Sequence, residues 1–222
     1  MAVPASVDLF LEVGTTRVFA GALDWPGWCR GGRNEEAAIE NLLAYQDRYA
    51  AVVDRGGVPF IGNAPEFAVG ERLKGGSGTD FGVPSVAAAA DARPLDAAEL
   101  ERQSLLLRAC WEAFDQVVAV ARATQVELRK GPRGGGRDLD KIEAHVLEAE
   151  VVYLSQLGSR SPRPPTPADV RETALAALAA GARGDPVATP SKAQRPWSPR
   201  YFVRRAAWHV LDHAWEIEDR ST

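Results

Sequence analysis

The chain is poor in histidine, cysteine and methionine. Its 222 residues include three histidines, two cysteines and one methionine. The cysteines, Cys29 and Cys110, lie far apart and lack the spacing of a metal motif, so a bound metal would depend on histidine and carboxylate ligands. With no signal peptide evident at the first residues, we expect reduced cysteines and a cytoplasmic protein.

Long apolar runs and an excess of positive charge are missing as well. No run is long enough to span a bilayer as a helix, so we expect no membrane segment. The formal net charge of −4 argues against a nucleic-acid-binding protein that works by bulk positive charge. The hydrophobic content of 45% and the charged content of 25% are typical of a globular protein of one large or two small domains.

The first part of the chain predicts a small α/β module. Alternating apolar residues at 7–13, a turn and a second apolar run predict a β-hairpin over residues 7–23. Residues 24–33 carry strong turn signals and are expected to form a loop. Asn34 then caps one helix, which is expected to end at Gly56 and Gly57. Another strand is predicted around residues 67–69, followed by a glycine-rich loop over 75–83.

From about residue 85 onward the pattern predicts four helices. They are expected at residues 96–128, 138–157, 166–181 and 198–220, each opened by a capping residue: Asp96, Asp138, Thr166 and Ser198. Four helices with one apolar stripe each predict an antiparallel four-helix bundle. The predicted fold class is therefore α+β, with a small module at residues 1–88 (a hairpin plus a helix) and the bundle at residues 89–222.

All three histidines fall on predicted helices of the bundle. His209 and His213 are four residues apart and therefore share one helix face, and His145 lies on the second helix. Two imidazoles one turn apart can bind a single first-row metal ion. The alternative is a set of half-buried histidines that are hydrogen-bonded to neighbours. The metal interpretation is favoured because every histidine lies beside apolar positions and one ion satisfies three buried imidazoles. Three histidines with an open coordination position are typical of a catalytic metal site.

Charged residues near the histidines are candidates for supporting roles. Glu148 lies one turn after the histidine of the second helix, and Asp212 and Glu216 each follow a histidine by three residues. Each would orient an imidazole or act as a general base, or else be a solvent-exposed helix charge. Arg205 lies one turn before the histidine pair. It would hold an anionic substrate group or form an ion pair with a neighbouring helix.

The bundle resembles the DinB-like (YfiT-like) superfamily of metal-binding four-helix bundles. The likeness covers residues 90–220 and rests on His145-Val-Leu-Glu-Ala-Glu-Val-Val-Tyr-Leu154 and Trp208-His-Val-Leu-Asp-His213. It implies a metal triad of His145, His209 and His213 that binds a divalent ion such as zinc or nickel. It further implies a thiol-dependent S-transferase, isomerase or hydrolase acting on a small molecule, with a low-molecular-weight thiol such as bacillithiol or mycothiol. Relatives of this kind are often homodimers.

The module at residues 1–60 is similar to the HicB-like family in one segment. The segment from Ala22 to Ala37 has that family's strand, Pro-Gly-Cys turn and helix start, although Trp28 separates Gly27 from Cys29 here. The likeness implies recognition of a protein partner, but a bundle follows instead of a DNA-binding tail. The alternative function is therefore a non-catalytic interaction protein, in which this module recognises a partner. If the protein is an enzyme, the module would pack against the bundle, mediate dimerisation or cover the site.

Overall fold

The structure is a computed structural model, and it describes residues 6–60, 66–130, 136–185 and 196–221. Its fold class is α+β, as predicted. A mixed sheet with strand order β3-β2-β1-β4 contains β1 (Ser6–Val13), β2 (Val18–Ala22), β3 (Cys29–Gly32) and β4 (Glu66–Lys74). The first three strands pair antiparallel, and β4 pairs parallel to β1. The predicted hairpin is confirmed, with Leu9 opposite Ala22.

The helices of the described residues fall into a short set and a long set. The short set is α1 (Glu35–Ala44), α2 (Gln46–Arg55) and α3 (Ser77–Phe81), followed by a 3₁₀ turn at Ala89–Ala92. The long set is α4 (Ala97–Ala123), α5 (Leu139–Gln156), α6 (Pro167–Ala182) and α7 (Pro199–Ser221). The long helices all contact one another and form the predicted four-helix bundle.

Three local predictions in the first module were wrong. Residues 24–33 contain strand β3. Two glycines in this strand let its backbone lie close to Phe19 on β2 and to the start of α1, and this explains its position at the sheet edge. A Cβ at Gly31 would lie 3.0 Å from the ring of Phe19, and one at Gly32 would lie 2.3 Å from the backbone nitrogen of Ala38. The single helix expected after Asn34 is broken at Tyr45 into α1 and α2. The glycine-rich loop at 75–83 contains the short helix α3.

Helix starts in the bundle follow local capping chemistry. The side chains of Asp96, Asp138 and Thr166 accept hydrogen bonds from backbone N–H groups three residues later, as the sequence predicts. These bonds satisfy donors that the first turn of a helix leaves without partners. These three bundle helices therefore begin where the capping residues predict.

Helix α7 lies at the centre of the molecule. Every residue from Tyr201 to Leu211 is buried, so this helix has no solvent-exposed face over three turns. The bundle helices pack on one side and the sheet on the other. A single hydrophobic cluster runs from the sheet through α1 and α2 into the bundle, and it crosses the predicted boundary between residues 88 and 89. The division into two domains stays a prediction.

None of the helices in the described residues is long and apolar enough to cross a membrane.

Candidate metal centre

The structure brings the three histidines together between α5 and α7. The Nε2 atoms of His145 and His209 are 3.3 Å apart. One potential ligand nitrogen from each of these two residues and from His213 lies within 4.8 Å of the others. His145 therefore joins the α7 histidines in one cluster of imidazoles, although it lies 64 positions before His209 in the sequence.

The antiparallel crossing of α5 and α7 produces this cluster. His145 faces His209 and His213, whereas Tyr153, two turns later on α5, contacts His209 and lies beside Arg205 on α7. The α7 histidines are buried and His145 is half-buried. The cluster is therefore buried on the α7 side and partly exposed to solvent at His145 on the α5 side.

The spacing of the two Nε2 atoms fits a tetrahedral metal ion. Two imidazole nitrogens, each about 2.0–2.1 Å from zinc at a tetrahedral angle, are about 3.3 Å apart. The Nδ1 atom of His209 is buried and has no hydrogen-bond partner among the described residues. The Nε2 atom, which faces His145, is then the ring nitrogen of His209 that is placed for ligation. On donor chemistry and spacing, the residues fit a first-row divalent ion.

The electrostatics of the cluster favour neutral imidazoles. Burial, followed by the charges of His213 and His145, lowers the pKa of His209 well below its ordinary value of 6.5. Burial, with the charges of Arg137 and His213, also lowers the pKa of His145. A neutral imidazole keeps a lone pair for a metal ion, so these pKa shifts match the needs of ligation.

Glu216 orients His213. A carboxylate oxygen of Glu216 lies 2.8 Å from Nδ1 of His213, and its other oxygen accepts a hydrogen bond of 2.6 Å from Arg220. The bond from His213 is the main reason why the pKa of Glu216 is lowered. Because an ionised carboxylate only accepts, Nδ1 of His213 donates this hydrogen bond, and Nε2 is the ring nitrogen that remains to face a metal ion. Histidines that bind metals commonly have this carboxylate contact.

Asp212 and Glu148 lie outside the imidazole cluster. Asp212 forms an ion pair of 2.9 Å with Arg30 on β3, and this contact joins the sheet to α7. Glu148 is exposed on α5, one turn from His145, where its charge opposes the lowering of the pKa of His145. Neither carboxylate has a hydrogen bond to a histidine among the described residues.

Arg205 is buried next to the cluster. Its Nη1 donates to the carbonyl oxygen of Pro84 at 2.7 Å, and its Nη2 donates to the hydroxyl of Tyr153 at 3.1 Å. Its Nε is buried and has no acceptor within the described part of the chain. The guanidinium also lies 4.9 Å from the ring centre of Trp208.

Two residues near the cluster were not singled out from the sequence as site residues. Tyr153 contacts His209, with ring centres 5.6 Å apart. It follows His145 by eight residues, and that spacing of about two helical turns is a signal that would have found it. Arg220 was not identified either. It follows Glu216 by four residues, a spacing typical of helical ion pairs.

Comparisons of this chain with protein-family models, with curated proteins and with solved structures find no match. The DinB-like and HicB-like resemblances therefore stay predictions from the sequence.

Proposed function

We propose that this protein is a divalent-metal-dependent enzyme, with His145, His209 and His213 as the metal ligands. Zinc or nickel is the expected ion, and the reaction is of the thiol-dependent S-transferase, isomerase or hydrolase type. The observation that carries the proposal is the 3.3 Å approach of two Nε2 atoms, one of them on a buried histidine.

Three further features support this assignment. The pKa values of His145 and His209 are lowered, which keeps their imidazoles available as ligands. Glu216 accepts a hydrogen bond from His213 and thereby directs its Nε2 away from the carboxylate. Three protein ligands leave a position for an exogenous group, which is the arrangement of catalytic rather than structural zinc sites.

The metal, when bound, lowers the pKa of a coordinated thiol or water and makes it a nucleophile near neutral pH. Residues of the chain would bind the coordinated thiol or water, orient it and accept its proton. His213 is held by Glu216, while α7 excludes water from the inner side of the cluster. Glu148, which is exposed on α5 one turn from His145, is the candidate to accept a proton from the incoming group.

The thiol cofactor, the small-molecule substrate, a homodimer and a cytoplasmic location are parts of this proposal that rest on the sequence. The interaction-protein alternative also rests on the sequence, through the likeness of residues 22–37 to the HicB-like pattern.

The test is the metal content of protein purified without a histidine tag, measured by plasma mass spectrometry. We expect close to one zinc or nickel per chain, lost on His209→Ala. Asp212→Asn is the matched control, because this change also lies on α7 but affects a side chain that faces Arg30. Protein that contains no metal and takes up neither added zinc nor added nickel would refute the proposal.

A further inference from the structure

Arg205 is a buried cation without an anionic partner among the described residues. Its exposed fraction is 5%. No carboxylate of the described residues lies within ion-pair distance of its guanidinium, whereas the adjacent buried Arg204 is paired with Asp91. The stretches outside the described residues contain no aspartate or glutamate, so every acidic side chain of the protein is accounted for. A buried charge is normally paired with an opposite charge. The unpaired charge of Arg205 therefore indicates that this residue binds an anionic ligand.

The hydrogen bonds of Arg205 leave donors available. A guanidinium has five N–H bonds, and the structure gives acceptors to two of them, the carbonyl of Pro84 and the hydroxyl of Tyr153. Nε is buried with no acceptor in the described residues. Because the oxygen of Tyr153 accepts from Arg205, its own proton remains available for another acceptor.

These donors lie beside the metal cluster, where α5 and α7 meet. Arg205 precedes His209 by four residues of α7, just over one turn and about 6 Å along the helix axis. Tyr153 contacts both residues from α5. On α5, Tyr153 and His145 are both half-buried, so each keeps some exposure to solvent.

We propose that Arg205 and Tyr153 bind the carboxylate of the substrate or thiol cofactor while its reactive group occupies the open metal position. This inference rests on the proposed metal-dependent function. A carboxylate is favoured over a phosphate because one unpaired guanidinium balances one negative charge, whereas a phosphate monoester carries nearly two. The ligand is therefore a small molecule with a carboxylate a few bonds from a thiol or an electrophilic centre.

The test uses the full-length protein loaded with cobalt(II), whose visible spectrum reports thiolate coordination. The probes are 3-mercaptopropionate and its neutral amide, which differ only at the end that Arg205 would bind. For the unchanged protein we expect the carboxylate to bind about 10- to 100-fold more tightly than the amide. Arg205→Gln should abolish this preference, and Arg205→Lys should lose most of it because lysine lacks the planar fork.

Arg48→Gln is the matched control, because it removes one positive charge from an arginine that the structure pairs with Glu218 and Asp219. It should keep the preference for the carboxylate probe.

If Arg205→Gln does not fold, as judged by circular dichroism, Arg205→Lys decides between the outcomes. Equal affinities for the two probes in the cobalt-loaded protein would overturn the carboxylate site and leave the metal site standing. Failure to take up cobalt, and also zinc and nickel, would refute the metal proposal itself. Displacement of the carboxylate probe by inorganic phosphate but not by acetate would show that the site prefers phosphate, against our assignment.

Discussion

Replacing Glu216 by glutamine tests whether the carboxylate on His213 serves a metal ligand. Glutamine has nearly the same shape but no charge, so it weakens the bond to Nδ1 of His213 and the contact with Arg220, which are 2.8 and 2.6 Å long in the structure. Removal of such a supporting contact costs about 10- to 100-fold in metal affinity. The side chain of Glu216 is 32% exposed, so water partly replaces the lost bond. We therefore expect the lower end of this range, a loss of about tenfold or about 1.4 kcal/mol.

The assay is a competition titration of the apoprotein with a chromophoric zinc chelator at neutral pH and moderate salt. Glu218→Gln is the matched control. It lies two residues away on α7, is half-exposed and faces Arg48 instead of a histidine. Its zinc affinity should stay within about twofold of the unchanged protein, because a surface ion pair contributes little. An unchanged affinity for Glu216→Gln, or an equal loss in both variants, would contradict the role of Glu216.

Other residues of the bundle allow predictions about stability. Burial raises the pKa of Glu150 from 4.5 to about 7, so the native state keeps a proton that the unfolded chain releases between these values, and its stability falls as pH rises. Glu150→Gln should therefore gain about 3 kcal/mol relative to the unchanged protein between about pH 4.5 and about pH 7, at about 1.4 kcal/mol per pH unit. If urea unfolding gave the same stability difference between the two proteins at both ends of this range, the account would be wrong. Asp91→Ala leaves the buried Arg204 without its partner and should cost about 3–5 kcal/mol of unfolding free energy, measured by urea unfolding; a loss below about 1 kcal/mol would show that the pair is dispensable. Thr166→Ala removes the cap of α6 and should cost about 1 kcal/mol, whereas Thr166→Ser should cost little in the same measurement.

Local chemistry explains which parts of the fold the sequence predicts. The caps of the bundle helices depend on contacts three residues apart, so they are visible in the sequence. The break at Tyr45 is not visible, because the apolar period continues across it. Tyr45 contacts residues that lie outside its own helix in the sequence. Its ring centre is 3.9 Å from the guanidinium of Arg30 on β3 and 5.0 Å from the ring centre of Trp215 on α7. Strand β3 likewise depends on pairing with β2 and on packing against α1, not on its own residues.

The same distinction applies to the candidate site. Helical spacing alone places His209 and His213 on one face, and the crossing of two amphipathic helices adds His145. The orientation of Asp212 is different. Its partner Arg30 lies 182 positions away in the sequence, on a strand that the sequence does not predict. Which carboxylate faces a histidine therefore depends on tertiary contacts that only the structure provides.

The burial of α7 on all sides has a consequence for how a metal ion would be received. In a zinc finger the ion must organise the chain, so much of its binding energy is spent on folding. Here the burial of α7 around its whole circumference, mostly by apolar side chains, already fixes the rotation of the helix, and with it the directions of His209 and His213. The donor atoms would be in place before the ion binds. Its binding energy would then not be used for folding and would contribute to affinity and to chemistry. Removal of the metal should accordingly leave a folded protein with the same secondary structure.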